Sequence, residues 1–484
     1  MILLLFGVCL VSALLPLVMH SERALFRSAI SMSTILFAST VVLAVPALSA
    51  QPFVSPNGWL YIDSFAALLI LIVGFIQWTA TLVSIQYFSR ELRDGHLPLI
   101  AVRVYYGLVS VFALCMFVVL TSNNLGLMWV ALEGTTLATT LLVGLNGDRG
   151  GLRAAWKYLI LCSVGISLGL LGVFFVVSAG VATGLAELAL SFTSLHGAGL
   201  SPELLRLAFI FILIGYGTKV GLVPMHAWLP DAHSHAPSPM SALLSGVLLN
   251  VALFAILRYK MLVDGALGSS DWSNTLMITL GTLSFVVPAG FILVQKNYKR
   301  LLAYSSIEHM GFATVAFGLG TPGMVYGVIH LIGHSLTKSM LFFGAGNILL
   351  HFKDTSLEKV RGVMTALPYS GSFFLAGIVL LLAVPPSPLF MSEFGVIAEM
   401  FRTYPWYLGV ILLAAVIIGA GFIRTLIPFL FSEPNTPRAD TERWGLSHSV
   451  MALHLALVVL FGASLWYPGT MQFIQHIVSS SMSL

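Results

Sequence analysis

The spacing of apolar runs constrains this chain more than any other feature. Hydrophobic stretches follow one another at roughly 2–19, 28–48, 63–87, 101–120, 125–145, 155–179, 205–224, 238–258, 273–294, 301–319, 322–350, 367–401, 405–431 and 446–467. A helix needs about 20 apolar residues to cross a bilayer, so the pattern predicts an all-α polytopic membrane protein of about fourteen transmembrane helices. Composition agrees: 9% of residues are charged and 58% hydrophobic, against roughly 25% charged in a soluble domain. No loop is long enough for a cofactor-binding fold, so no cofactor is expected and any redox chemistry belongs to a partner subunit. The net charge of +4 is scattered through short loops and forms no nucleic-acid patch. Cys9, Cys115 and Cys162 lie singly in apolar runs, with neither metal nor disulfide spacing. The first run has no basic leader and no clear cleavage site, so it reads as a retained helix.

Lysine and arginine orient the stack, because cytoplasmic loops carry the excess of positive charge. Sixteen of them, from Arg23 to Arg443 and including Arg438, fall in odd-numbered loops. Four (Arg206, Arg258, Lys260 and Arg402) fall in even ones. Both termini are therefore expected outside.

A charge in mid-membrane costs about 2.5–3.5 kcal/mol or more, so each one asks for a partner or a water path. Glu133 lies about eight residues into the fifth span, and Lys219 late in the seventh, five residues before Pro224. Burial and a nearby opposite charge both move proton affinities, so an acid and a lysine at variable separation make a two-state element. Pro224 frees carbonyls that protein or water must satisfy. His330, His334 and Lys338 recur at intervals of four in VIHLIGHSLTKSMLFF. Each interval advances a helix by about 6 Å and 400°, so the three share one face, with gaps that water must bridge. Pro385, Pro386 and Pro388 break the twelfth span in mid-membrane, and Glu393 starts the half-helix beyond. Glu399 is a weaker candidate. Lys157 lies near a helix start, where snorkelling competes with function. Glu308 and His309 are adjacent and expected to point in different directions, yet could load or gate the second half. His226, Asp231, His233 and His235 tempt a zinc reading, but their spacing defines no open catalytic geometry and no metal is expected. Asp63 and Arg424 read as structural partners, and His454 as packing.

The segments WVALEGTTLATTLLVG, IGYGTKVGLVPMHAWLPDAHSHAPSPMSALLSGVLL, QKNYKRLLAYSSIEHMG, HLIGHSLTKSMLFFGAGN and PPSPLFMSEF resemble the antiporter-like subunits of respiratory complex I, Mrp antiporters and membrane-bound hydrogenases. The resemblance covers about residues 60–430. DAHSHAPSP and YSSIEHMG look most like hydrogenase 4 component F of formate hydrogenlyase-type complexes. This implies two inverted five-helix repeats, 99–262 and 273–432, with helices 7 and 12 broken, flanked by 1–98 and by 433–484 with helix 14. By position, Glu133 matches the family's helix 5 glutamate and Lys219 its helix 7 lysine. His330, His334 and Lys338 match the helix 11 relay, and Glu393 the group at the helix 12 break. Asn250 stands where several members carry a helix 8 lysine, and an asparagine cannot take a proton at neutral pH. The central link then needs water alone or follows another route. The chain is read as stopping after helix 14, without the long lateral helix of the largest family member.

The expected function is proton translocation by a membrane-arm subunit in a prokaryotic inner membrane. Its expected partners are other membrane subunits, the lipid bilayer and a peripheral redox module, a nickel-iron hydrogenase. The alternatives are a complex I-type subunit, an Mrp-type subunit exchanging Na+ for protons, and an anchor that conducts nothing.

Overall fold

The computed structural model describes residues 1–433 and 442–482 of the chain, so Arg438 lies outside the described residues. Helices dominate it: α1 (Ile2–Leu14), α2 (Glu22–Ala47), α3 (Ser64–Arg93), α4 (Leu99–Thr121), α5 (Leu125–Val143) and α6 (Arg149–Ala182) come first. Next are α7 (Pro202–Val220), α8 (Leu229–His235), α9 (Ser238–Leu267), α10 (Asp271–Leu293), α11 (Tyr298–Gly318) and α12 (Gly320–Phe352). The series closes with α13 (Pro368–Leu381), α14 (Pro388–Thr403), α15 (Pro405–Phe431), α16 (Leu446–Ser464) and α17 (Pro468–Met482). Among the described residues, ten helices are long and apolar enough to cross a membrane. α11 and α12 are not among them, and they carry Glu308 and His309, and His330, His334 and Lys338.

Helix starts follow local chemistry. Asp63, Asn124, Ser201, Asn297 and Ser387 each accept a bond from a backbone N–H of the helix they precede, satisfying donors with no intrahelical partner. The most apolar stretch of α9 is wholly buried, and α11 and α12 pack around it almost as deeply. The outer helices α6 and α15 instead expose Trp156, Phe174, Leu413, Val416 and Ile423. A surface of that kind belongs against lipid.

Three expectations are corrected here. Arg258 and Lys260 are not loop residues: α9 runs on to Leu267 and buries both. Each is neutralised inside the protein, Arg258 by Asp63 at 2.6 Å and Lys260 by Asp264 at 2.5 Å. Asp63 caps α3 with one carboxylate oxygen and holds Arg258 with the other, while Arg424 is exposed. Finally, the chain does not stop after the helix at 446–464, because α17 follows it and its Ser481 hydroxyl accepts a bond from the Phe65 N–H of α3. A two-stranded hairpin, β1 (Phe53–Val54) and β2 (Tyr61–Ile62), and a short helix, Phe192–Leu195, were not anticipated from sequence.

Candidate functional site

Two interrupted helices place the polar groups. α7 ends at Gly221, whose φ of +84° is a left-handed cap that only glycine adopts cheaply. The chain then turns through residues 222–228 before α8. The Thr218 carbonyl at the break accepts the Trp228 indole N–H at 2.8 Å as well as the Gly221 N–H, and the Ser284 hydroxyl accepts the Val223 N–H at 2.9 Å. Between α13 and α14 the Ser387 hydroxyl donates to the Leu380 carbonyl at 2.7 Å and caps α14.

At the first break, Lys219 is fully buried and donates to the Tyr158 hydroxyl at 2.9 Å. That hydroxyl lies 2.7 Å from Thr139. Glu133 accepts from Thr136 at 2.9 Å and from Ser163 at 2.7 Å. Glu133 is therefore electrostatically near Lys219 without being its bonded partner; Tyr158 takes the lysine's hydrogen bond instead. Sequence reasoning missed Tyr158, Thr139 and Ser163. The signal was the placement of hydroxyls at helical spacing from Glu133 and along α6, which is weak because such residues are common in membrane helices.

Close backbone packing sets this geometry. A Cβ on Gly215 would lie 2.4 Å from the Gly169 nitrogen, so α6 and α7 touch main chain to main chain, as small residues allow in membranes. Gly215→Ala is expected to push the two helices apart and cost about 1–3 kcal/mol of overpacking strain. Its apparent melting temperature in detergent, compared with wild type, tests this.

In the centre, Asn250 donates to the Ser335 hydroxyl at 2.7 Å and to the Gly246 carbonyl at 3.2 Å, while its own oxygen has no protein partner. It lies just past a π-helical turn at Leu244–Leu248, a distortion often found at functional sites. His233 is buried against Phe342, with ring centroids 4.9 Å apart and both nitrogens without protein partners. His226, Asp231, His233 and His235 do not converge on a common point, and among the described residues they form no metal-ligating group. Asp231 instead bonds Lys157 of α6 at 2.7 Å and Arg300 of α11 at 2.9 Å. That answers where Lys157 points: to an ion pair near the surface.

The second half is denser. Lys338 is fully buried and donates to the Leu302 carbonyl at 3.0 Å and to the Ser305 hydroxyl. His330 and His334 are 6.5 Å apart between ring centroids, beyond a hydrogen bond. His309 lies 5.2 Å from the first ring and 5.7 Å from the second. Its Nδ1 is 3.2 Å from His330 Nε2, and His330 Nδ1 is 3.0 Å from the Ser392 hydroxyl. Both nitrogens of His334 are buried without a protein partner. Glu308 and His309, expected to diverge, approach to 3.5 Å. With Glu393 they border a cavity of about 160 Å³. His454 is bonded on both ring nitrogens, to the Leu336 carbonyl at 3.0 Å and Thr79 at 3.1 Å, a packing role.

Apolar helices lipid-exposed on their flanks, enclosing buried imidazoles and lysines with the half-buried acids Glu133 and Glu393 beside them, define an integral membrane protein with a titratable interior. Residues 122–419 match the family model for the transmembrane region of NADH:quinone oxidoreductase and Mrp antiporters, and the chain belongs to that family. It is 38% identical over 426 residues to a hydrogenase-4 component F homolog of Methylacidiphilum infernorum, covering 87% of this chain and 88% of the relative. Its fold is similar to a chain of the archaeal membrane-bound sulfane sulfur reductase, with TM-score 0.86, 23% identity, and 99% and 97% of the two chains covered. A chain of the Mrp complex from Dietzia sp. aligns at TM-score 0.82, 16% identity, with 99% and 95% coverage.

Proposed function

We propose that this chain translocates protons as a membrane-arm subunit of an energy-converting redox complex of the hydrogenase 4, formate hydrogenlyase kind. Its partners in this reading are further membrane subunits and a peripheral nickel-iron hydrogenase module, in a prokaryotic inner membrane. The observation that carries it is His334, buried between Lys338 and the His309–His330 pair with neither ring nitrogen bonded to protein. Buried polar atoms find partners, and where protein supplies none, water does. A hydrated imidazole flanked by other titratable groups is a proton relay.

In this reading about fourteen helices cross the membrane with both termini outside. Residues 99–262 and 273–432 form two inverted five-helix repeats, between 1–98 and 433–484. Glu133 and Lys219, the lysine bonded to Tyr158, respond to the redox step. The proton passes the centre by water near Asn250 and His233, continues through Lys338, His334, His309 and His330, and leaves by Glu393 with Glu308 beside it. Lys157 tunes the entrance through Asp231.

The test uses the whole complex in sealed vesicles. Glu133→Gln and Lys219→Ala are each expected to lower redox-driven proton uptake by about tenfold or more, with assembly intact. Full-rate uptake by both assembled variants removes the assignment. Uptake that requires Na+ moves it to the Mrp-type exchange, and turnover in wild type with no proton gradient moves it to a non-conducting anchor.

A further inference from the structure

We propose that His309, His330 and Glu393 form a binding site for a divalent transition-metal ion of the zinc class, seated where the two rings now face each other. One ligand atom from each residue lies within 4.8 Å of the others. In a tetrahedral zinc site with Zn–N of about 2.0–2.1 Å, two ligand nitrogens are about 3.3 Å apart. His309 Nδ1 and His330 Nε2 are 3.2 Å apart, so the two imidazoles already stand at ligand spacing. Glu393 lies at most about 1.5 Å beyond ligand spacing and closes that gap to complete the triangle. It borders the cavity of about 160 Å³, which gives its carboxylate room to swing and leaves space for a water as fourth ligand.

The outer face of each ring supports the same assignment. Metal-bound histidines donate their other N–H to a carboxylate or similar acceptor, which fixes the tautomer. His309 Nε2 faces Glu308 at 3.5 Å, and His330 Nδ1 faces the Ser392 hydroxyl at 3.0 Å. When both outer nitrogens carry hydrogen, two lone pairs confront each other across the inner gap. That tautomer presents both lone pairs to the inner gap, as a bound cation requires. Ionised Glu308 and Glu393 balance a dication, so the loaded site is neutral in a low-dielectric interior, with Lys338 held back by the Leu302 carbonyl and Ser305. Two imidazoles favour zinc-class ions over Na+ or Mg2+, which prefer oxygen.

The experiment reads binding, so it stands or falls separately from proton transport. Purified, chelator-washed complex is titrated with zinc chloride in excess Na+ and Mg2+, and retained zinc is counted per chain after desalting. One zinc attributable to this chain is expected. His309→Gln and His330→Gln should each weaken its retention on the order of 100-fold, and Ser392→Ala by about tenfold. Unchanged retention in both histidine variants overturns the proposal. If these variants do not assemble, zinc-edge X-ray absorption of the loaded wild-type complex decides. A first shell of two imidazoles with oxygen is expected; a sulfur-containing or all-oxygen shell overturns the site.

Discussion

Lys338→Met is expected to cut redox-driven proton uptake on the order of 100-fold, the scale of losing a positioned proton donor, while the complex still assembles. The side chain is fully buried and sits one turn from His334 on α12. Methionine is one atom shorter and close in volume, so the packing of the stem is kept while the ammonium and its bonds to Leu302 and Ser305 go. An uncharged group there breaks the only lysine step between the first break and the histidines of α11 and α12 in the proposed route. Lys338→Arg provides the contrast: it keeps charge but does not release a proton, and it is expected to fail as well. Proton uptake in vesicles checks both variants, with redox turnover of the complex as the control for intact chemistry. Wild-type uptake in assembled Lys338→Met sinks the relay.

The largest effect on stability is expected at Asp63 and Arg258. Their carboxylate and guanidinium meet at 2.6 Å with almost no exposure. The guanidinium also lies over the rings of Tyr61, Phe192 and Phe254, at 4.9, 5.1 and 4.5 Å. Removing one partner leaves a charge buried alone, which typically costs about 3–5 kcal/mol. Asp63→Leu alone should therefore lower the folded yield and the melting temperature in detergent strongly. Asp63→Leu combined with Arg258→Met removes both charges and should recover most of the loss, because an apolar pair of similar volume is often no less stable. The residual deficit reports the lost helix cap on α3, about 1 kcal/mol. A double variant as unstable as the single one defeats this account.

That ion pair also shows what sequence could and could not reveal. Glu133, Lys219, Lys338 and the histidines were legible because a charge in an apolar run is expensive and therefore conspicuous. Arg258 is equally conspicuous, yet its place at the end of an apolar run reads as a loop. Its partner lies 195 positions away, and nothing local says that a charge near the end of a run is paired inside. Tyr158, Ser163 and Ser392 were invisible for the opposite reason: neutral hydroxyls cost a membrane helix little and so announce nothing. Adjacency predicts that Glu308 and His309 diverge, but α11 is buried on nearly every side. Neighbouring residues there reach the same interior, since no solvent face exists for one of them to choose. α17 gives no sequence signal because PGTMQFIQHIVSSSM is too polar to register as an apolar run.

Asp231 has a consequence of its own. Its two carboxylate oxygens are divided between Lys157 on α6 and Arg300 on α11, so one negative charge serves two claimants anchored in different parts of the bundle. Whatever draws Lys157 away hands the whole carboxylate to Arg300, and the reverse is equally true. A shift of α6 at this point is thereby converted into a tightened grip on α11, as in a tug-of-war with a single rope.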